Sequence, residues 1–309
     1  MVAPLAFGGN VFGWTTDQAR SFELLDAFAG AGFNLIDTAD VYSRWAEGNS
    51  GGESETIIGN WIKKRNNRNQ LIIATKVGAE MAPGKKGLGK GYIIGAADNS
   101  LKRLQTDHID LYQTHFDDPE VHVEETLEAY SRLIEQGKVR FIGASNLTPE
   151  RLIESLNASK DNGLPKYETY QPHYNLVERK KFEEALEVIC LENNLGVISY
   201  YSLASGFLSG KYRNLNDLDK SVRGGGVKKY IDEKGALILK ALDEICEVHR
   251  VKPVTIALAW LMQRKSVTAP IASATDLNQL KDLTKAAEIH LNSAEVEMLD
   301  HVSNWVETA

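Results

Sequence analysis

Short apolar runs alternate along this chain with longer stretches whose apolar residues recur at helical spacing. The runs fall at 5–9, 33–37, 71–76, 109–113, 139–144, 167–171, 197–201 and 268–272. Each is bounded by glycine or polar residues and is too short for a stable helix, so each reads as a buried strand. Between them, segments such as DQARSFELLDAFAGAG, SETIIGNWIKKR, YIIGAADNSLKRL and EETLEAYSRLIEQG carry one apolar face. Thr148 before Pro149 marks a helix start, and Gly137 stands where the preceding helix stops. Strict alternation of strand and helix predicts parallel strands joined by crossover helices. Eight such units in about 300 residues predict a closed (β/α)8 TIM barrel, a single domain over 1–309.

The rhythm breaks once. Residues 202–231, SLASGFLSGKYRNLNDLDKSVRGGGVKKYI, are rich in glycine, asparagine, aspartate and lysine and too long for an ordinary connection. They predict a mobile loop over the C-terminal mouth of the barrel. Beyond it, 232–251 reads as an amphipathic helix and 292–309 as a further C-terminal helix with Ser293 as its cap. No internal repeat or low-complexity tract interrupts the pattern.

Composition narrows the function classes. The 309 residues are 43% apolar and 25% charged, ordinary for a soluble globular protein. A net charge of −7 with scattered Lys and Arg leaves no basic footprint for nucleic acid. There is no signal-peptide core and no apolar run of the roughly 20 residues needed to cross a bilayer, so the expected setting is the cytoplasm with no membrane partner. Cys190 and Cys246, each inside an apolar helical pattern, read as buried hydrophobes in a reducing compartment. Neither G-x-G-x-x-G nor G-x-x-x-x-G-K-[ST] occurs, which removes Rossmann and P-loop sites.

Barrel enzymes build their sites at the downstream ends of strands. Four polar side chains stand there: Asp37 closing the second run, Tyr42 five residues on, Lys76 closing LIIATK, and His115 after IDLYQT. Singly, each has an ordinary reading as a cap, a rim residue, a solvated end or a core histidine. A barrel gathers them into one pocket, where their chemistries are complementary. A phenol is a weak acid, with a reference pKa of about 10. An ammonium about 4 Å away stabilises its phenolate by about 4 kcal/mol at an effective dielectric near 20, roughly three pKa units before desolvation. On this reading Lys76 makes Tyr42 a proton donor, Asp37 keeps Lys76 charged, and His115 orients a carbonyl oxygen against Tyr42. The set suits proton delivery to an oxygen that becomes an alkoxide, as carbonyl reduction by hydride requires.

The segments GFNLIDTADVYS, GGESETIIG, IIATKVG, SLKRLQTDHIDLYQTH, ETLEAYSRLIEQGKVRFIGASNL, YSLASGFLSGKY and ALAWLMQ resemble the aldo-keto reductase family over nearly the whole chain. The resemblance implies the same barrel, NADP(H)-dependent reduction of aldehydes or ketones, and catalytic roles for Asp37, Tyr42, Lys76 and His115. It also implies a nicotinamide site in which Ser145, Asn146 and Gln171 hold the carboxamide beside Asp37 and Tyr200 stacks on the ring. Leu203, Ser205 and Lys211 match the segment that covers the pyrophosphate, and Ser273, Thr275 and Gln279 match contacts at the adenosine end. Many relatives place an Arg or Lys there for the 2′-phosphate. Here 272–278 offers no cation and Asp276 is anionic, so NAD(H) stays open beside NADP(H). Relatives usually plug the bottom of the barrel with a hairpin before the first strand. A chain that begins MVAPLAFGGN has no room for one, so the plug is absent or the start is truncated.

Trp14 after the first run and Trp45 in SRWAEGNSGGE offer an aromatic wall for a small carbonyl substrate, although Trp45 reads equally as a packed loop anchor. The resembling family includes potassium-channel beta subunits, so a nucleotide-binding regulatory or redox-sensing subunit of slow turnover is the alternative function. A barrel glycosidase would need Asp37 with Asp117 or Asp118 as flanking carboxyl groups, and Lys76 against Asp37 fits that poorly. His115 and His122 fall at no metal-ligand spacing, and no metal is expected. Physiological substrate and oligomeric state are left open.

Overall fold

The computed structural model describes residues 2–222 and 224–306. Its strands are β1 (Ala6–Gly8), β2 (Leu35–Asp37), β3 (Ile72–Val77), β4 (Ile109–Thr114), β5 (Val139–Ser145), β6 (Tyr167–Gln171), β7 (Gly196–Val197) and β8 (Ile271–Ala272). They pair in parallel in the order β7-β6-β5-β4-β3-β2-β1-β8. The two ends of that row meet. Thr268 N donates to Val197 O at 2.8 Å and Ile271 N to Ser199 O at 2.8 Å, so the sheet curls into the (β/α)8 barrel that the alternation predicts. The seventh and eighth strands are shorter than their apolar runs, because much of 197–201 and 268–272 forms this closing seam and not a regular ladder.

Around the sheet run α1 (Gln18–Gly30), α2 (Glu53–Arg65), α3 (Lys90–Leu104), α4 (Val123–Glu135), α5 (Pro149–Asn162), α6 (Glu187–Glu192, entered through a π turn at Phe182–Leu186), α7 (Glu233–His249), α8 (Pro253–Met262), α9 (Leu277–Lys285) and α10 (Ser293–Val302). Thr148 caps α5 by accepting from Arg151 N at 3.2 Å, with Pro149 at the first helical position. The cap of α10 is Asn292 and not Ser293. Asn292 Oδ1 accepts from Glu295 N, and Glu295 Oε2 accepts from Asn292 N in return, a reciprocal box that needs the short acceptor one position earlier. Of the tail, 307–309 lies outside the described residues. Helix α9 was not among the expected helices; Asp276 starts it by accepting from Gln279 N at 2.9 Å.

The 202–231 segment is the long loop expected between the seventh strand and α7. It is a succession of short turns, Ala204–Ser209, Leu215–Lys220, Gly224–Gly226 and Lys228–Tyr230. Phe207, Leu208, Tyr212 and Val227 are buried beneath them, and Arg213 pairs through both terminal nitrogens with Asp243 on α7. Its composition suggested a mobile strap because the polar residues outnumber these anchors, yet the anchors decide where the backbone lies.

Side chains alternate across a strand. On β3, Ile73 and Val77 pack outward against the helices, while Ile72 and Ala74 pack inward with Ala6, Leu35 and Leu111. Lys76 shares the inward parity of Ile72 and Ala74, Asp37 that of Leu35, and Gln113 that of Leu111. Register sets them side by side: Asp37 opposite Ala74, Lys76 opposite Gln113, and Ser145 opposite Gln171. The barrel thus carries an apolar interior below and a ring of polar side chains at its downstream end.

Candidate active site

Lys76 is fully buried and donates three hydrogen bonds: to Asp37 Oδ2 at 2.7 Å, to Thr38 O at 2.8 Å and to Tyr42 Oη at 2.9 Å. An ammonium has three protons, so each has its acceptor. Asp37, also buried, accepts from Gln171 Nε2 at 2.9 Å through its other oxygen, and Tyr42 Oη–H points toward Oδ2 at 3.4 Å. Tyr42 reaches the pair because the chain turns just after β2, where Tyr42 N donates to Ala39 O and Ser43 takes a left-handed φ of 70°.

Lys76 does not lower the pKa of Tyr42 as expected from an isolated cation. Burial, and then the Asp37 charge, hold the Tyr42 phenol well above its usual range. The physical reason is that Lys76 is already balanced by Asp37 at 2.7 Å, so the phenol faces a nearly neutral pair. Burial pulls Lys76 below the usual lysine range while Asp37 opposes that shift. Tyr42 therefore keeps its proton at neutral pH, with its oxygen already accepting from Lys76.

His115 faces Tyr42 across the mouth, ring centroids 6.1 Å apart and inclined at 70°. Burial, followed by Lys76, holds its imidazole well below the usual range, so the ring is neutral. Its Nδ1 is buried without a partner among the described residues. An unpaired acceptor is cheaper to bury than an unpaired N–H, which places the ring proton on Nε2. A group between the rings of Tyr42 and His115 would meet two neutral donors.

Next to these four stand the expected carboxamide contacts, bonded to one another. Ser145 Oγ donates to Gln171 O at 2.8 Å, and Asn146 Nδ2 donates to His115 O at 2.9 Å. Tyr200 Oη donates to Asn146 Oδ1 at 2.7 Å, and its ring lies on His173 at 5.3 Å. Tyr200 is thus engaged at its hydroxyl and on one face, whereas the adjoining Tyr201, with φ 51°, is 52% exposed. Leu203 precedes the first turn of the long loop, Ser205 lies on it and Lys211 follows it, and Ala204 and Ser205 are also left-handed. Ser273, Thr275 and Gln279 form a separate cluster at the β8–α9 junction. Ser273 Oγ bonds to Gly8 O and Asn10, Thr275 N donates to Gln279 Oε1 at 3.0 Å, and Gln279 Nε2 donates to Asp276 Oδ2 at 2.7 Å.

Trp45 is half-exposed and meets both Trp14 (5.7 Å) and Tyr42 (6.0 Å) edge to face, so the two tryptophans line one side of the mouth. Phe116, which sequence reading passed over, stacks on His115 at 4.6 Å and is 47% exposed on the other side. Gln113, also passed over, stands within 3.4 Å of Asp37 Oδ1 and accepts from Gln171 Nε2 at 3.3 Å. Its inward parity with Leu111 was the available signal.

Residues 4–304 match the model of the Aldo/keto reductase family. The chain belongs to that family. It is 33% identical to the uncharacterized oxidoreductase YrpG of Bacillus subtilis (strain 168), over 97% of this chain and 92% of that protein. It is 32% identical to the aldo-keto reductase YhdN of the same organism, over 93% and 84%. Norsolorinic acid reductase of Aspergillus flavus is 30% identical, over 97% and 77%. The chain is accordingly an oxidoreductase of a family that typically uses nicotinamide cofactors.

The carboxyl groups a glycosidase would need are engaged elsewhere in this aldo/keto reductase. Asp117 accepts from Arg151 Nε at 2.9 Å, and Asp118 accepts from the amides of Leu88 and Glu120. Cys190 and Cys246 are buried and unpaired, and burial pushes both thiols up to about 12. Among the described residues no helix is long and apolar enough to cross a membrane.

Proposed function

We propose that this chain is an NADP(H)-dependent reductase of aldehydes or ketones in which Tyr42 is the general acid. The observation that carries the reading is Lys76 Nζ, held at 2.7 Å from Asp37 and 2.9 Å from Tyr42. As Tyr42 gives its proton to the carbonyl oxygen, phenolate charge develops beside an ammonium that already points at it, with no reorganisation needed. His115 Nε2–H donates to the same oxygen and fixes its direction.

The mouth suits a nicotinamide nucleotide. Asn146, Tyr201, Ala204 and Ser205 hold left-handed backbone without being glycine, at about 1–3 kcal/mol each, a cost that collects at ligand clamps. A nicotinamide bound there supplies the hydride. Ser145, Asn146 and Gln171 would hold its carboxamide by exchanging the bonds they now make to one another. Tyr200, one face of which lies on His173, would stack on the ring, with the half-exposed Tyr201 beside it as the second candidate. Leu203, Ser205 and Lys211 would cover the pyrophosphate, and Ser273, Thr275 and Gln279 the adenosine end. Asp276 is a weak objection to a 2′-phosphate, because its oxygens are turned to Gln279 at the positive end of α9. Trp14, Trp45 and Phe116 favour a flat carbonyl substrate. The buried, unpaired Cys190 and Cys246 support a reducing, cytoplasmic setting.

The test is consumption of NADPH and of NADH with a reactive aromatic aldehyde by the wild type and by Tyr42→Phe. The expected result is turnover that falls a hundredfold or more in the variant, within the range of general acid catalysis, with NADPH the faster donor. Nucleotide binding with no turnover above the variant's would overturn the reading in favour of a regulatory subunit, and faster use of NADH would overturn the cofactor assignment.

A further inference from the structure

The turn after β2 carries a second buried carboxyl that the proton-transfer chain does not use. Asp40 is 2% exposed, and neither of its oxygens has a hydrogen-bond partner among the described residues. Its backbone amide donates to Lys76 O at 3.3 Å, which extends the β2–β3 pairing beyond Asp37 and sets Asp40 behind Lys76. Charged and titratable groups face it from each neighbouring element: Glu55 on α2, Tyr92 and Arg103 on α3, Lys76 on β3, Tyr112 on β4 and Tyr130 on α4.

None of these satisfies Asp40. Arg103 Nε donates to Glu55 Oε2 at 2.7 Å and its Nη2 to Ser100 Oγ at 3.2 Å, while Thr75 Oγ1 donates to the other Glu55 oxygen at 2.6 Å. Glycine at 59 locks this arrangement, because a Cβ there would lie 2.2 Å from Arg103 O. The three protons of Lys76 are committed as well. A carboxylate buried without a side-chain donor and beside another carboxylate is costly, so it keeps its proton. Burial first and Glu55 second push the Asp40 carboxyl up to about 8, against weaker opposition from Arg103, the Val41 amide and Lys76.

We propose that Asp40 is a positioning residue for proton transfer, acting through Lys76: uncharged, it leaves Asp37 as the sole counter-ion of Lys76, and ionised, it sets a second negative charge against phenolate formation at Tyr42. The proposal rests on Tyr42 being the acid. Its consequence is a loss of reductase activity on the alkaline side that belongs to a residue touching neither substrate nor nucleotide.

Asp40→Asn keeps the shape and removes the titration. The comparison is kcat/KM for aldehyde reduction from pH 6.5 to 9.5 in both proteins, with thermal unfolding followed from pH 5 to 9. At pH 7 the two should agree within about threefold, and by pH 9.5 the wild type should have fallen about fivefold further than the variant. Between pH about 4 and 8 the folded wild type holds a proton that the unfolded chain has released, so its Tm should fall with rising pH more steeply than that of Asp40→Asn. Identical pH profiles and Tm slopes with turnover intact would overturn this proposal alone. A loss of a hundredfold at pH 7 in a folded variant would also overturn it, by demanding a direct role. Absence of turnover in both proteins would overturn the acid reading and this proposal with it. Glu55→Gln is the second variant, for use if Asp40→Asn does not fold. It removes the like charge beside Asp40 and frees Arg103, so the alkaline loss should move down by about one pH unit, and an unmoved profile counts against the proposal.

Discussion

Two lysines at the mouth of the barrel, Lys76 and Lys211, are held by opposite means. Lys76 is fully buried, and its three protons are placed by β2, by the turn after it and by Tyr42. Lys211 is exposed, its Nζ 4.9 Å above the ring of Tyr212, and its position depends on the buried Tyr212 and Phe207 that fasten the long loop. The first is set by strand register and by charge, the second by the apolar residues beside it. A lysine of the first kind cannot be moved without disturbing the fold, and one of the second kind can be removed with little structural effect.

Lys76→Met should break the first arrangement most severely. It leaves Asp37 buried without its counter-ion, which costs about 3–5 kcal/mol, and urea denaturation should read that loss alongside a fall in reductase activity of about a thousandfold or more. Phe207→Ala attacks the second arrangement through its anchor. The cavity should cost about 3 kcal/mol, and nucleotide binding followed by intrinsic fluorescence should weaken about tenfold while kcat changes less than threefold.

Thr275→Arg should sharpen the contrast at the adenosine end, raising the preference for NADPH over NADH about tenfold, or about 1.4 kcal/mol, in competitive binding. His115 gives the floor of the site an acid limit. Its folded imidazole lies well below the usual range, so the unfolded chain takes up a proton near pH 6.5 that the folded one refuses. Stability should then fall by about 1 kcal/mol as pH drops from 6.5 to 5.5, and urea midpoints for His115→Asn should show a smaller fall. Lys211→Met should have the smallest effect, a loss of about fivefold in nucleotide affinity with stability unchanged within about 0.5 kcal/mol.

The floor of the site was more legible in the sequence than its roof. Asp37 and Lys76 stand at the ends of apolar runs, which points to the mouth of a barrel before any coordinates are seen, and Gln171 was legible through the family resemblance. The left-handed backbone of Tyr201 beside Tyr200 had no periodic signature from which it could be read. The anchors of the loop were not legible in its composition, since a few buried aromatics stand among many exposed polar residues. Ser293 was named as a cap, yet Asn292 before it is also a capping residue, and only the returning bond from Glu295 distinguishes them.

The sequence by itself determined the alternation of strand and helix, the barrel, and which polar side chains close its strands, because period and apolar content are local properties. The tertiary structure alone decided that Lys76 is shared between Asp37 and Tyr42, that Asp40 is buried with no side-chain donor, and that buried aromatics lie beneath the long loop. Those outcomes depend on burial and on distances between residues far apart in the chain, and electrostatic free energy is set by both.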